Sequence, residues 1–117
     1  LKEATQYLYD TDFELVQGGC ADVSNILAFL TNRLGYKNVK VVYGTVSTPD
    51  DVVFHSWLDL GNGKKFDPTY WVQDLRATNY KKNPAVESMI GCLIDSEERL
   101  EAHADELEKF LVDTGTL

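Results

Sequence analysis

The chain is short of sulfur, imidazole and positive charge, and each shortage excludes something. Two cysteines, Cys20 and Cys92, are too few for a disulfide scaffold in a chain of 117 residues. One bridge between them is the only pairing open, and Cys92 sits in an apolar run that suits a small buried hydrophobe. The two histidines, His55 and His103, are far apart in the chain. No pair of candidate ligands has the close spacing of a zinc site, so no metal and no cofactor is expected. Lysine and arginine number 11 against 19 acidic residues, a net charge of -8. Phosphate contacts need clustered basic side chains, which argues against a nucleic-acid partner. The only basic pairs are Lys64-Lys65 and Lys81-Lys82, each beside a turn signal. No apolar run approaches the roughly 20 residues of a membrane span, so no membrane partner is expected. Neither a signal peptide, an internal repeat nor a low-complexity segment is visible, and the expected location is cytoplasmic.

What is present suits one folded domain over residues 1–117, with 44% hydrophobic and 26% charged residues. The chain is organised around the stretch from Gln17 to Leu34. Val23, Ile26, Leu27, Leu30 and Leu34 recur at steps of three and four, the stripe of an amphipathic helix, and Gly35 is its stop. Gly18-Gly19 precede the helix and Cys20 falls in its first turn. There a thiol meets unpaired backbone N–H groups and the positive end of the helix dipole, the setting of a nucleophilic cysteine.

Around this centre, residues 2–9 read as a short amphipathic helix broken by Asp10-Thr11-Asp12. Val39 to Val46 is rich in β-branched residues and reads as a strand. Val52 to Leu60 reads as a second strand. Its alternation sends Val53, His55, Trp57 and Asp59 to one face. Gly61-Asn62-Gly63 makes a hairpin turn, Lys64 to Asp67 returns as a third strand, and Pro68 ends it. Tyr70 to Leu75 reads as a short helix or irregular cover, Asn79 to Pro84 as a loop, and Val86 to Ile94 as helical. Asp95 with Glu98 forms a capping-box-like pair opening a last helix with Leu100, Leu107, Phe110 and Leu111 on its apolar side. His103 lies near that side and reads as a surface or core-edge residue.

A cysteine nucleophile needs a base, and the base needs an orienting partner. His55 lies mid-strand, where a sheet holds an imidazole rigidly. If the hairpin centres on Asn62, position 57 faces about 67 and position 55 about 69. Asp67 is then a diagonal neighbour of His55 on the same side. The carboxylate holds one ring nitrogen and leaves the other for Cys20.

Gly-Gly-Cys-Ala-Asp before a helix, His55-Ser-Trp57-Leu-Asp59 on a strand, and Phe66-Asp67-Pro68-Thr69 at a strand end together resemble the transglutaminase-like superfamily. The resemblance spans about residues 17–70 in the family order Cys, His, Asp. It implies an α+β fold, with helices packed on one face of a small antiparallel sheet, similar to the papain-like core. It also implies Cys20 as nucleophile, His55 as general base and acid, and Asp67 as the orienting residue. Trp57 and Asp59 take strand positions that serve as wall and support. The backbone N–H of Cys20 is one oxyanion donor, and the Gln17 side-chain amide is the candidate for the second. The calcium-binding loops of larger members have no counterpart here.

The expected activity is that of a cysteine-dependent amide or peptide hydrolase or acyl transferase, with a thioacyl-enzyme intermediate and a protein or peptide substrate. Two alternatives remain at the level of sequence. One is a binding or accessory module that kept the scaffold without turnover. The other is a leader-peptide-processing protease. Substrate identity and oligomeric state are not encoded in any of these motifs.

Overall fold

The computed structural model describes residues 1–11, 19–72, 76–89 and 97–116. Helix α1 spans Lys2–Thr11. It runs through Asp10 and Thr11, where the sequence pattern suggests a break. The side chains of those two residues join the helix instead: Gln6 Nε2 donates to Asp10 Oδ1 (3.0 Å), and Thr11 Oγ1 donates to the Tyr7 carbonyl (2.8 Å). Helix α2 spans Cys20–Arg33 and carries the expected stripe. Gly35 and Tyr36 close it by donating their N–H groups to the carbonyls of Asn32 and Thr31, the paired bonds of a Schellman motif.

The sheet is antiparallel, in the order β3-β2-β1-β4. Strand β1 is Lys40–Ser47, β2 is Val52–Gly61, and β3 is Lys64–Phe66. Asn62 and Gly63 join β2 to β3 with φ of 53° and 75°. A two-residue hairpin of matching twist requires positive φ at both positions, which Asn-Gly supplies at low cost. The turn pairs Gly61 with Lys64, and a bulge between Asp59 and Gly61 shifts the register by one, so that Asp59 faces Lys65 and Leu58 faces Phe66. That register, carried one step further, brings position 67 level with Trp57.

After β3 comes helix α3, Pro68–Val72, and then β4, Thr78–Lys82. Strand β4 corrects the expectation of a loop from Asn79 to Pro84. Its polar composition hides a strand that pairs with β1 through Gly44↔Lys82 and Thr45↔Lys81. Gly44 makes this pairing close: a Cβ there would run into the Lys81 carbonyl and come within 2.8 Å of the Trp57 ring. The expected helix from Val86 is a 3₁₀ turn, Pro84–Ser88, opened by Asn83, whose side chain accepts the Ala85 N–H. The rest of that stretch, with Cys92 and Asp95, lies outside the described residues. Helix α4 spans Glu97–Asp113.

The core forms where α2 meets its neighbours. Val23, Ile26, Leu27 and Leu30 pack with Ala4 and Leu8 of α1, Leu58 of β2, and Ala104, Leu107 and Leu111 of α4. Ile26 and Leu27 are fully buried, and each such side chain contributes on the order of 2 kcal/mol. The observed architecture is therefore α+β. Its most buried helix presents its N-terminus, with Cys20, toward the middle of β2. Among the described residues no helix is long and apolar enough to cross a membrane.

Candidate active site

Cys20 is the first residue of α2, and Gly19 before it supplies no capping side chain. The N-cap residue itself therefore places no side-chain acceptor on the early N–H groups beside the sulfur. Cys20 is a half-buried free thiol.

His55 comes from the middle of β2, opposite Gly44 of β1, and is buried. Its Nε2 donates to Asp67 Oδ2 at 2.7 Å. The Cys20 side chain is close enough to the same ring to raise its proton affinity alongside Asp67.

Asp67 does two jobs. It sits just before Pro68, and α3 begins on it: Oδ1 accepts the Tyr70 N–H (3.3 Å) and its carbonyl accepts the Trp71 N–H (2.9 Å). A capping Asp followed by a proline is a common way to open a helix. The capping role leaves Oδ2 free to face the imidazole. Oδ2 also accepts a hydrogen bond from the Tyr80 hydroxyl at 2.8 Å. Tyr80 belongs to β4, and Asp67 follows β3 at the other edge of the sheet. The sheet therefore curls far enough for its two edges to share a hydrogen bond.

Aromatic rings complete the surroundings. The Tyr70 ring stacks on the imidazole with centroids 4.5 Å apart and planes 16° from parallel. Trp57 is only 4% exposed. It buttresses Tyr80 edge-on at 5.0 Å, so it sits beneath the site rather than lining an open cleft. Trp71 is the more exposed of the neighbouring rings, with Lys2 Nζ 5.9 Å over it and Phe66 against it. Asp59 is exposed and accepts the Gly61 N–H (2.8 Å), supporting the hairpin and not the imidazole.

Burial is the largest single influence on His55 and opposes charge on the ring. The hydrogen bonds with Asp67 and with Cys20, joined by the charges of both, overcome it and push the imidazole up from 6.5 to about 9. The proton therefore resides on His55 at neutral pH. Burial, then the Asp67 and Cys20 charges, raise the Tyr70 hydroxyl as well. Burial, the hydrogen bond to Asp67 and the charges of Asp67 and Tyr70 hold the Tyr80 hydroxyl far above the ordinary phenol value.

Chemically, the arrangement offers a sulfur nucleophile, a proton on an adjacent ring, a carboxylate fixing that ring, and backbone N–H groups at a helix start. Asp67 reaches His55 through the bulged β2–β3 register, and Cys20 reaches the same ring from the start of α2. Gln17 lies outside the described residues. His103 is on α4, half-buried between Leu100 and Leu107. Among the described residues no cluster of three or more His, Cys, Asp or Glu has the arrangement of a metal site. Tyr80 is the residue that sequence reasoning missed. Its one signal is an aromatic residue flanked by polar ones at alternating spacing, and Pro84 two residues beyond Lys82 outweighs it. No family model, no curated protein and no solved structure matches the chain.

Proposed function

We propose that this protein is a cysteine-dependent enzyme that cleaves or transfers acyl groups from amides, in the manner of the transglutaminase-like superfamily it resembles. The observation that carries the reading is a single buried imidazole whose Nε2 is bonded to the Asp67 carboxylate and whose proton affinity is raised further by the Cys20 side chain at a helix start. In this reading His55 holds the proton taken from Cys20, and the Cys20 sulfur attacks the carbonyl carbon of an amide and forms a C–S bond. The carbonyl oxygen takes the electron pair and is held by backbone N–H of the α2 terminus. As the tetrahedral species collapses, the C–N bond breaks and His55 gives its proton to the leaving amine. Water then attacks the thioester while His55 takes a proton from it; the C–S bond breaks, the acid leaves, and the sulfur and protonated ring return to their starting state. An amine in place of water gives acyl transfer by the same steps. Hydrolysis of a peptide or isopeptide is the first choice, because a chain of this size leaves little surface for a second substrate site.

The test is acid quenching of reactions with a panel of peptide amides, followed by mass spectrometry of the protein and the products. The expected result is an acyl adduct on Cys20 that is absent in Cys20→Ala and His55→Ala, both of which remain folded. Product masses separate a cut peptide, a deamidated glutamine and an amine conjugate. Absence of any adduct, together with faster labelling of Cys92 than Cys20 by iodoacetamide at neutral pH, would overturn the reading. A binding module without turnover would then be the better description.

A further inference from the structure

The geometry points to Tyr80 as a positioning residue of this site, acting through Asp67: its hydroxyl fixes the carboxylate oxygen that the imidazole uses. The inference rests on the catalytic reading above and adds a fourth residue to it. Asp67 Oδ2 carries two donors, His55 Nε2–H at 2.7 Å and Tyr80 O–H at 2.8 Å, whereas Oδ1 carries one longer bond to the Tyr70 N–H at 3.3 Å. Without the phenol, the only strong bond left on the carboxylate would be the one to the ring it is meant to orient. A carboxylate so held is free to rotate about its side-chain torsion and take His55 out of line with Cys20.

The phenol is well placed for this task. Its ring meets Trp57 edge-to-face at 5.0 Å, and Lys65 Nζ lies 4.6 Å over its centroid. Trp57 comes from β2 and Lys65 from β3, so the ring is pinned from two strands other than its own. The hydroxyl direction follows from ring packing and not from a flexible chain. The group also keeps its proton beyond the range in which His55 titrates, so it donates throughout.

Two effects of losing the hydroxyl oppose each other. Asp67 would bear more unshared charge, which favours imidazolium. It would also lose the bond that aims it, which disfavours imidazolium. Hydrogen bonds to charged groups are worth more than neutral ones, and the remaining anchor on Oδ1 is long, so loss of aim dominates. The groups facing the imidazole are Cys20 from α2, Tyr70 from α3, Asp67 after β3 and Tyr80 from β4. Lys65 reaches only the outer face of Tyr80. None but Tyr80 changes in the variant Tyr80→Phe, which keeps the ring and its contacts.

The experiment follows alkylation of Cys20 by iodoacetate against pH, with the site identified by mass spectrometry, in wild type, Tyr80→Phe and His55→Ala. Iodoacetate is an anion that the imidazolium attracts, so its rate falls as His55 loses its proton, near pH 9 in wild type. Tyr80→Phe is expected to move this alkaline limb down by about one on the pH scale, a tenfold change in the ring's proton affinity. A merely structural role would lower thermal stability and leave the limb in place. A limb that stays, or moves up, overturns the inference while the catalytic reading stands. A wild-type profile indifferent to His55→Ala overturns both. Should Tyr80→Phe fail to fold, proton NMR of the wild type decides. A downfield Tyr80 hydroxyl resonance with an Overhauser contact to the His55 Nε2 proton supports the inference, and absence of that contact defeats it.

Discussion

Burying His55 beside Asp67 makes the stability of the whole domain depend on pH, and the dependence has a definite sign and size. In the unfolded chain the ring titrates at its ordinary value of 6.5; in the folded protein it does so at about 9. The folded state therefore holds the proton more tightly. Below the unfolded value both states are protonated and the stabilisation is fully present. It is lost as pH rises through about 9. Each step of one on the pH scale is worth about 1.4 kcal/mol, so the full contribution is about 3 kcal/mol. Because the ring is buried, solvent screening takes little from this. Against the roughly 5–15 kcal/mol that holds a typical domain, the loss is a large fraction. The assay is urea denaturation of wild type and His55→Gln at intervals from about pH 6 to about pH 10. Titration of surface lysines and tyrosines is common to the two proteins and cancels in the difference. The wild type is expected to lose about 3 kcal/mol more than His55→Gln across that window. A difference that stays flat through the window, or that grows with rising pH in favour of the wild type, would refute the reasoning.

Gly44→Ala is expected to cost about 2 kcal/mol, since the added methyl strikes the Lys81 carbonyl and the Trp57 ring. A lowered urea midpoint with loss of amide protection along β4 would mark it. Leu27→Ala removes a fully buried side chain from the centre of the core. It should cost about 2–5 kcal/mol, read from the same denaturation curves. Arg33→Ala breaks the ion pairs that tie α2 to Asp105 and Glu108 of α4. Both acidic partners are exposed or nearly so, so the cost should be under about 1 kcal/mol and should shrink further in salt.

The α2 stripe was legible because it is long and strictly periodic, and a helix with that face has one way to bury it. The β2–β3 hairpin was legible because Asn62-Gly63 is a strong turn signal. The bulge between Asp59 and Gly61 was not, yet it is the bulge that brings Asp67 level with Trp57 and onto the face of His55. Strand β4 was not legible. Thr-Asn-Tyr-Lys-Lys carries no apolar alternation, because an edge strand with largely exposed side chains has no need of one. The bond from Tyr80 to Asp67 was invisible for a further reason. It depends on the curl of the sheet, which arises from strand twist summed over four strands and leaves no mark on either segment. The capping role of Asp67 was visible in Asp-Pro. That capping and orienting would share one side chain was not, since the two tasks use different oxygens.

The placement of the four paired lysines has a consequence for how copies of this chain meet. Lys64-Lys65 lies on β3 and Lys81-Lys82 on β4, the two outer strands of the sheet. An outer strand with unpaired backbone groups is a template for recruiting another chain, and crowded positive charge is a common guard against it. In a strongly acidic protein, the scarce cations sit as sentries at the two borders of the described sheet, where fibre growth by strand addition would begin.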